Sequence, residues 1–306
     1  MPYSWGMLKV LVTGSQGFIG SAITTSLQKN GYEVYGLDNR SLNFVNNFFT
    51  VDICSSEAAE IVQEIKPDFV VHAAAQIRVD QSFSDPYSDL RSNAFGTLNI
   101  VRASITAKVK NFCYINSGGA IYDQTGQLPI AENGLVRPLS PYGATKFLGE
   151  EYLRILAEST SMKWSSLALS NCYGPISDHE KGVIYHFAKS MAAGIRPTIY
   201  GSTVTRDLIH IEDVCAAILS SIESPSMGRV NISSGIETSL LELFLLISQE
   251  LNYKGEPILM APKPGEILRS CLSNKKAFEL WDWTPKIDIN SGIKLALSGE
   301  KQDNQQ

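Results

Sequence analysis

Tyr142 and Lys146 stand four residues apart, and Ser117 precedes them in the chain. On a helix, positions four apart share a face. A free phenol titrates near ~10 and is a poor base at neutral pH. An ammonium beside it favours the phenolate. Tyr142 so placed could remove a hydroxyl proton while a hydride leaves the same carbon, and the Ser117 hydroxyl could share that proton. Such chemistry needs a hydride acceptor held beside the phenol, and therefore a frame that seats one.

Residues 8–20, LKVLVTGSQGFIG, supply that frame. The apolar run Leu8, Val10, Leu11, Val12 reads as a buried parallel strand. The glycines Gly14, Gly17 and Gly20 turn it into a helix starting at Phe18 and Ile19. Glycine allows a tight turn and close approach of a pyrophosphate, and the amides of a helix N-terminus face the anion. Glu33 to Leu37 is a second strand, closed by Asp38. The aspartate lies at the distance where an acid meets an adenosine ribose. It would repel a 2′-phosphate, so it favours NAD over NADP, and Arg40 weakens that preference slightly.

The rest of the first half alternates strands and helices. Phe18 to Asn30 reads as a helix, Phe48 to Val51 as a strand before Asp52, and Ser56 to Ile65 as a helix stopped at Lys66-Pro67. Phe69 to Ala75 is a fourth strand, in which His72 reads as a packed, hydrogen-bonded side chain. Asp85-Pro86 opens a long helical stretch to Lys108, and Asn111 to Asn116 is a fifth strand. Pro141 to Glu158 is the clearest helix, with proline at an early position. Trp164 to Leu169 is a sixth strand. This alternation predicts an α/β fold, a Rossmann-type doubly wound parallel sheet with a smaller C-terminal α/β substrate domain. The expected division is 7–174 with 207–232 returning to it, then 175–206 and 233–298, with tails at 1–6 and 299–306.

Twenty-six basic against thirty-one acidic residues give a net charge of −5, which argues against a broad nucleic-acid surface. No apolar run reaches the ~20 residues needed to span a bilayer. The start, MPYSWGM, has neither a basic n-region nor a long apolar core, so no signal peptide is expected. Five scattered cysteines, Cys54, Cys113, Cys172, Cys215 and Cys271, suggest free thiols in a cytoplasmic protein rather than disulfides or a metal site.

With these motifs in place, the chain resembles the extended short-chain dehydrogenases/reductases, in the NAD-dependent sugar-nucleotide epimerase/dehydratase family. The resemblance rests on TGSQGFIG (13–20), LDN (37–39), HAAAQ (72–76), DP (85–86), NAFGTLN (93–99), SGGAIY (117–122), PYGATK (141–146), SNCYGP (170–175), TIYG (198–201), TRDLIHIEDV (205–214) and PGE (264–266). It implies that Gly14, Gly17, Phe18, Ile19 and Gly20 line the NAD pyrophosphate. Asp38 and Asn39 would hold the adenosine ribose, and Asp52 and Ile53 would lie near the adenine. Ala73, Ala74, Ala75 and Gln76 would border the nicotinamide side. Asn93 would support the site, and Lys146 would also hold the nicotinamide ribose. Asn171 and Arg206 would contact the diphosphate of a UDP-sugar, Thr198 and Tyr200 would lie beside the uracil, and Gln76, Ser117, Gly118 and Tyr142 would face the sugar. The implied reaction is C4 epimerisation by transient oxidation, in a homodimer built on helices 93–107 and 142–158.

Some positions depart from the pattern. Gly118 stands where a serine or threonine is usual, so Ser117 takes the proton-sharing role in the S/T-G-G-A variant. Asp123 replaces a glycine, and Ala168 and Lys263 replace arginines. Lysine gives a point charge without arginine's fork, which leaves more of the diphosphate to Arg206 and Arg269. Ser270 is small where related epimerases carry bulk against N-acetylated sugars, so UDP-N-acetylhexosamines are candidate substrates. A 4-keto-sugar reductase and a UDP-uronate epimerase stay open as alternatives. A 4,6-dehydratase or decarboxylase lacks its carboxylate here, since Gly118-Gly119-Ala120 follow Ser117. A non-catalytic nucleotide sensor would have no use for the Tyr142/Lys146 pair.

Overall fold

The computed structural model describes residues 7–40, 47–123, 126–176, 182–262 and 267–298. In chain order the strands are β1 (Lys9–Thr13), β2 (Glu33–Asp38), β3 (Phe48–Thr50), β4 (Phe69–His72), β5 (Asn111–Ser117), β6 (Lys163–Leu169), β7 (Asn171–Tyr173), β8 (Thr198–Tyr200), β9 (Thr205–His210), β10 (Gly228–Ile232), β11 (Glu237–Ser239) and β12 (Ile258–Met260). Seven of them form one sheet in the order β10-β6-β5-β4-β1-β2-β3. The pairs β1–β2, β2–β3, β1–β4 and β4–β5 are parallel. The chain winds outward from β1 to β3 and then jumps back to β4 on the other side of β1. A doubly wound sheet binds ligands at this switch point, outside the carboxyl ends of β1 and β4.

The local sequence explains the elements that serve this point. The strands are buried, β-branched runs, and Leu11, Leu37, Val70, Phe112 and Tyr114 join Val62, Ile100 and Leu153 from the covering helices in one core. Each buried large apolar side chain adds about 1.5–3 kcal/mol. Ser55 caps the helix Ser56–Ile65 by accepting the Ala58 N–H, and Lys66 ends it in the left-handed region before Pro67. Ser140 caps Pro141–Glu158 through the Gly143 N–H at 3.1 Å, with proline at the first turn. The helix Phe18–Lys29 has no side-chain cap at Gly17, which leaves its first amides for an external anion.

Three details differ from the sequence reading. β4 stops at His72, three residues before the expected Ala75. The Ala73 N–H still reaches the Thr13 carbonyl at 3.1 Å, but the chain then turns out of the sheet. The stretch after Asp85 is not one helix. It runs as Pro86–Leu90, a π-helical turn Arg91–Phe95 and Gly96–Thr106. Such a widened turn accommodates an extra residue and is common at functional sites. A further short helix, Val79–Ser84, precedes it.

The chain divides into two compact units: Met1–Ile121 with Val136–Ala168 and Cys215–Val230, and Tyr122–Leu135 with Leu169–Val214 and Asn231–Gln306. The segment after Tyr122 therefore groups with the second unit, and the returning stretch begins at Cys215. Ile130 explains the first point: its N–H donates to the Cys271 carbonyl at 2.9 Å, and its own carbonyl accepts from Ser273 and the Asn231 side chain. The second unit has its own core of Ile184, Phe187, Ile199, Leu243, Phe244, Ile247 and Ile293. It carries a three-stranded sheet β11-β9-β7 and the parallel pair β12-β8.

Candidate active site

At the switch point the glycine turn is closed by its own backbone. Gly14 has φ +68°, and a Cβ there would lie 2.7 Å from the Ala74 Cα. A Cβ on Gly20 would lie 1.9 Å from the Gly14 carbonyl oxygen. The turn therefore needs glycine at both positions, and the helix amides stay uncovered beside it. Asp38, at the end of β2, accepts the Gln16 N–H at 2.9 Å, the Arg40 N–H at 3.0 Å and the Arg40 guanidinium at 3.1 Å. Asn39 is exposed beside it. Beyond β3, exposed Asp52 is paired with Arg91 at 3.0 Å, while Ile53 is buried against Gly96. These groups fit a dinucleotide: a tight anion cradle, free amides and a carboxylate one strand away.

Ser117, at the end of β5, and Tyr142, in the first turn of its helix, are hydrogen-bonded through their hydroxyls. Gly118 is buried next to Ser117. Lys146 is 3 % exposed, with its Nζ 4.2 Å from the centroid of the Tyr114 ring. Burial pushes the Tyr142 phenol up to about 12, and the bond to Ser117 only partly offsets it. Burial also pushes Lys146 down to about 7, against the opposing fields of Asp89 and Glu150. Burial thus opposes ionisation of the phenol and of the ammonium alike.

His72 is wholly buried, with Nδ1 2.7 Å from Thr13 Oγ1 and Nε2 3.0 Å from Thr97 Oγ1. Thr97 gives its own proton to the Asn93 carbonyl at 2.6 Å, so it accepts from Nε2–H, and Nδ1 accepts from Thr13. Burial, then the charge on Lys146, pushes His72 down to about 3, and both its ring nitrogens are occupied by threonine hydroxyls, as a packed structural link requires. Ala73, Ala74, Ala75 and Gln76 are half-buried beyond β4. The Asn93 side chain accepts the Gln76 N–H at 2.8 Å and donates to the Gln76 carbonyl at 3.0 Å.

In the second unit Asn171 starts β7, and Thr198 and Tyr200 lie on β8. Arg206, on β9, donates to the carbonyls of Thr205 and Ile267, each at 2.8 Å. Arg269 is tied to Glu237 at 2.5 Å, and Thr205 donates to the same carboxylate at 2.6 Å. Ser270 is 2 % exposed, and its hydroxyl has no hydrogen-bond partner among the described residues. Lys263 lies outside the described residues.

The sequence reading missed several residues of the first unit. Asp89 and Thr145 join Gln76 and Asn93 in one buried cluster. Glu150 accepts from Asn116 at 2.7 Å and Ser166 at 2.5 Å and pairs with Arg229. The signal was present in the spacing: Asp89 is four before Asn93, and Glu150 four after Lys146. Among the described residues there is no group of three or more His, Cys, Asp or Glu arranged for a metal, and the five cysteines are free. No described helix is long and apolar enough to cross a membrane.

A doubly wound parallel sheet with a glycine turn at its switch point is a Rossmann-type nucleotide fold. The chain belongs to the NAD dependent epimerase/dehydratase family, whose model matches residues 10–233. Over 304 residues it is 37% identical to a putative UDP-glucose 4-epimerase of Methanocaldococcus jannaschii, covering 96% of this chain and 99% of that protein. A UDP-glucose 4-epimerase of Thermotoga maritima, crystallised with UDP-glucose, has a TM-score of 0.92 at 33% identity, covering 97% of this chain and 100% of the other. The UDP-glucose 4-epimerase of Thermus thermophilus in complex with NAD has a TM-score of 0.88 at 32% identity, covering 96% of this chain and 99% of the other.

Proposed function

We propose that this protein interconverts UDP-glucose and UDP-galactose by inversion at C4, with NAD kept bound. The observation that carries the reading is the hydroxyl pair Ser117–Tyr142, with Lys146 four residues on, in the same unit as the glycine cradle. Similarity to UDP-glucose 4-epimerases along almost the whole chain supports it. Gly14, Gly17, Phe18, Ile19 and Gly20 would hold the pyrophosphate, Asp38 and Asn39 the adenosine ribose, Asp52 and Ile53 the adenine. Ala73 to Gln76, Asn93, Tyr142 and Lys146 would frame the nicotinamide end.

NAD, when bound, supplies a hydride acceptor and then the same hydride as donor, and its positive ring favours a phenolate nearby. Tyr142 takes the C4 hydroxyl proton, directly or through Ser117, as the carbon is oxidised to the ketone. Tyr142 returns it when the opposite face is reduced. Lys146 supports the phenol's charge. Asn171, Thr198, Tyr200, Arg206 and Arg269 would grip the UDP, as would Lys263, while the sugar presents its other face. Gly118, Gly119 and Ala120 offer no carboxylate for dehydration or decarboxylation. Purified protein given UDP-galactose without added cofactor should form UDP-glucose, resolved by chromatography. Turnover that instead consumes NAD(P)H stoichiometrically would make it a reductase, and turnover of UDP-glucuronate alone would make it a uronate epimerase.

A wider substrate range is favoured by Ser270, small, buried and without a hydroxyl partner among the described residues. UDP-N-acetylglucosamine should be epimerised by the wild type and rejected at least tenfold by Ser270→Tyr, with UDP-glucose turnover much less affected. Equal turnover of the N-acetylated sugar by both proteins removes this reading.

A homodimer is proposed through helices 93–107 and 142–158. Phe95, Leu148, Tyr152 and Ile155 expose apolar surface there, and the last three recur on one helix face. Sedimentation should give twice the chain mass, and Ile155→Glu should halve it. A monomeric wild type contradicts the proposal. The free cysteines suit the cytoplasmic location proposed for it.

A further inference from the structure

Asp89 is a carboxylate with no exposed surface, in a chain whose other candidate catalytic groups are hydroxyls and an amine. Burying an anion costs several kcal/mol unless its lone pairs are filled. Three neutral donors fill them. Thr145 Oγ1 donates to Oδ2 at 2.5 Å, Gln76 Nε2 to Oδ1 at 2.7 Å and Asn93 Nδ2 to Oδ1 at 3.1 Å. The donors come from three places: the segment after β4, the π-helical turn, and the helix that presents Tyr142 and Lys146. Thr145 is the residue immediately before Lys146. Its hydroxyl has a single proton, and the short contact to the carboxylate claims it, so the 3.1 Å approach to the Tyr142 carbonyl is secondary.

We propose that Asp89 is a positioning residue that ties the nicotinamide side of β4 to the Tyr142–Lys146 helix and supplies the counter-charge for Lys146. The surroundings of Lys146 single out Asp89 for that role. Glu150 also faces it, one turn on, but its charge is matched by Arg229. Tyr114, whose ring lies beside the ammonium, is a phenol held neutral by burial, and His72 is neutral. Among the described residues the hydrogen-bond donors to Asp89 are all neutral, so no cation is matched to it as Arg229 is to Glu150. A carboxamide at this position would keep the volume and lose the charge.

For turnover this inference rests on the proposed epimerase reading, so one arm of the test is independent of activity. In holoenzyme labelled with 15N-lysine, the Lys146 signal, assigned by its loss in Lys146→Met, is titrated by NMR. Asp89→Asn is expected to lower its midpoint by about one pH unit, which corresponds to about 1.4 kcal/mol. In steady state the alkaline limb of the kcat profile should move down by the same amount. At pH 8 kcat should fall about tenfold, with KM within twofold and NAD content unchanged. Asp89→Glu should restore part of the loss. An unmoved Lys146 midpoint overturns the proposal whether or not the wild type epimerises sugars. If Asp89→Asn does not fold, Thr145→Val reads the tie from its other end. It should lower kcat severalfold at unchanged KM, and a wild-type kcat there overturns the proposal equally.

Discussion

Tyr142→Phe is expected to lower kcat for C4 epimerisation by about 10²–10⁴-fold, the range lost when a positioned acid–base group is removed. The variant should still purify with NAD and melt close to the wild type. The ring stays, so the packing of the first helical turn is kept. What disappears is one oxygen, bonded to Ser117. Ser117 is half-buried, so its hydroxyl can turn to solvent when it loses the phenol. The proton of the C4 hydroxyl then has no acceptor of suitable strength. Because the loss falls on the transition state, KM should change little while kcat collapses. A kcat within threefold of wild type would mean that Tyr142 carries no proton and would favour the nucleotide-sensor reading.

Gly20→Ala should be the most damaging single methyl in the chain. The added Cβ would lie 1.9 Å from the Gly14 carbonyl oxygen and 2.7 Å from its carbonyl carbon, so backbone must move. Forcing extra atoms into a close-packed site costs about 1–3 kcal/mol and more where backbone is the obstacle. Moving the turn also misdirects the amides that face the pyrophosphate. The variant should purify with less than a tenth of the wild-type NAD and melt several degrees lower. Gly31→Ala is the control. Gly31 also has positive φ, +82°, but no atom lies within 4 Å of its added Cβ. It should lose only about 1 kcal/mol of stability and keep its NAD. Full NAD content in Gly20→Ala, measured after denaturation, would contradict the assignment of the cradle.

The parts of this site that could be read from the sequence are those encoded locally. The glycine turn, the Asp38 strand end and the Tyr142–Lys146 helix each depend on residues a few positions apart, and β1, β2 and the helix at Pro141 lie where periodicity and capping place them. The break in the long helix after Asp85 was not legible, because a π-helical turn at Asn93 has no composition of its own. It exists because Asn93 and Thr97 are drawn toward Gln76 and His72 from other elements. The spacing of Asp89 to Asn93 and of Glu150 to Lys146 puts each pair on one helix face, but only the fold shows that both carboxylates are buried. Spacing brings an ammonium near Tyr142, but only the fold shows how far burial raises the phenol. In the second unit, the Glu237 carboxylate that binds Arg269 comes from β11, far away in the chain, and local sequence does not reveal the pair.

The central claim is that hydride leaves C4 and returns to the same carbon within one enzyme molecule. UDP-galactose carrying deuterium at C4 tests it directly, with excess unlabelled NADH in the medium. UDP-glucose with the deuterium retained at C4 is expected, read by mass spectrometry and NMR. Loss of the label to water or to the NADH pool would contradict it.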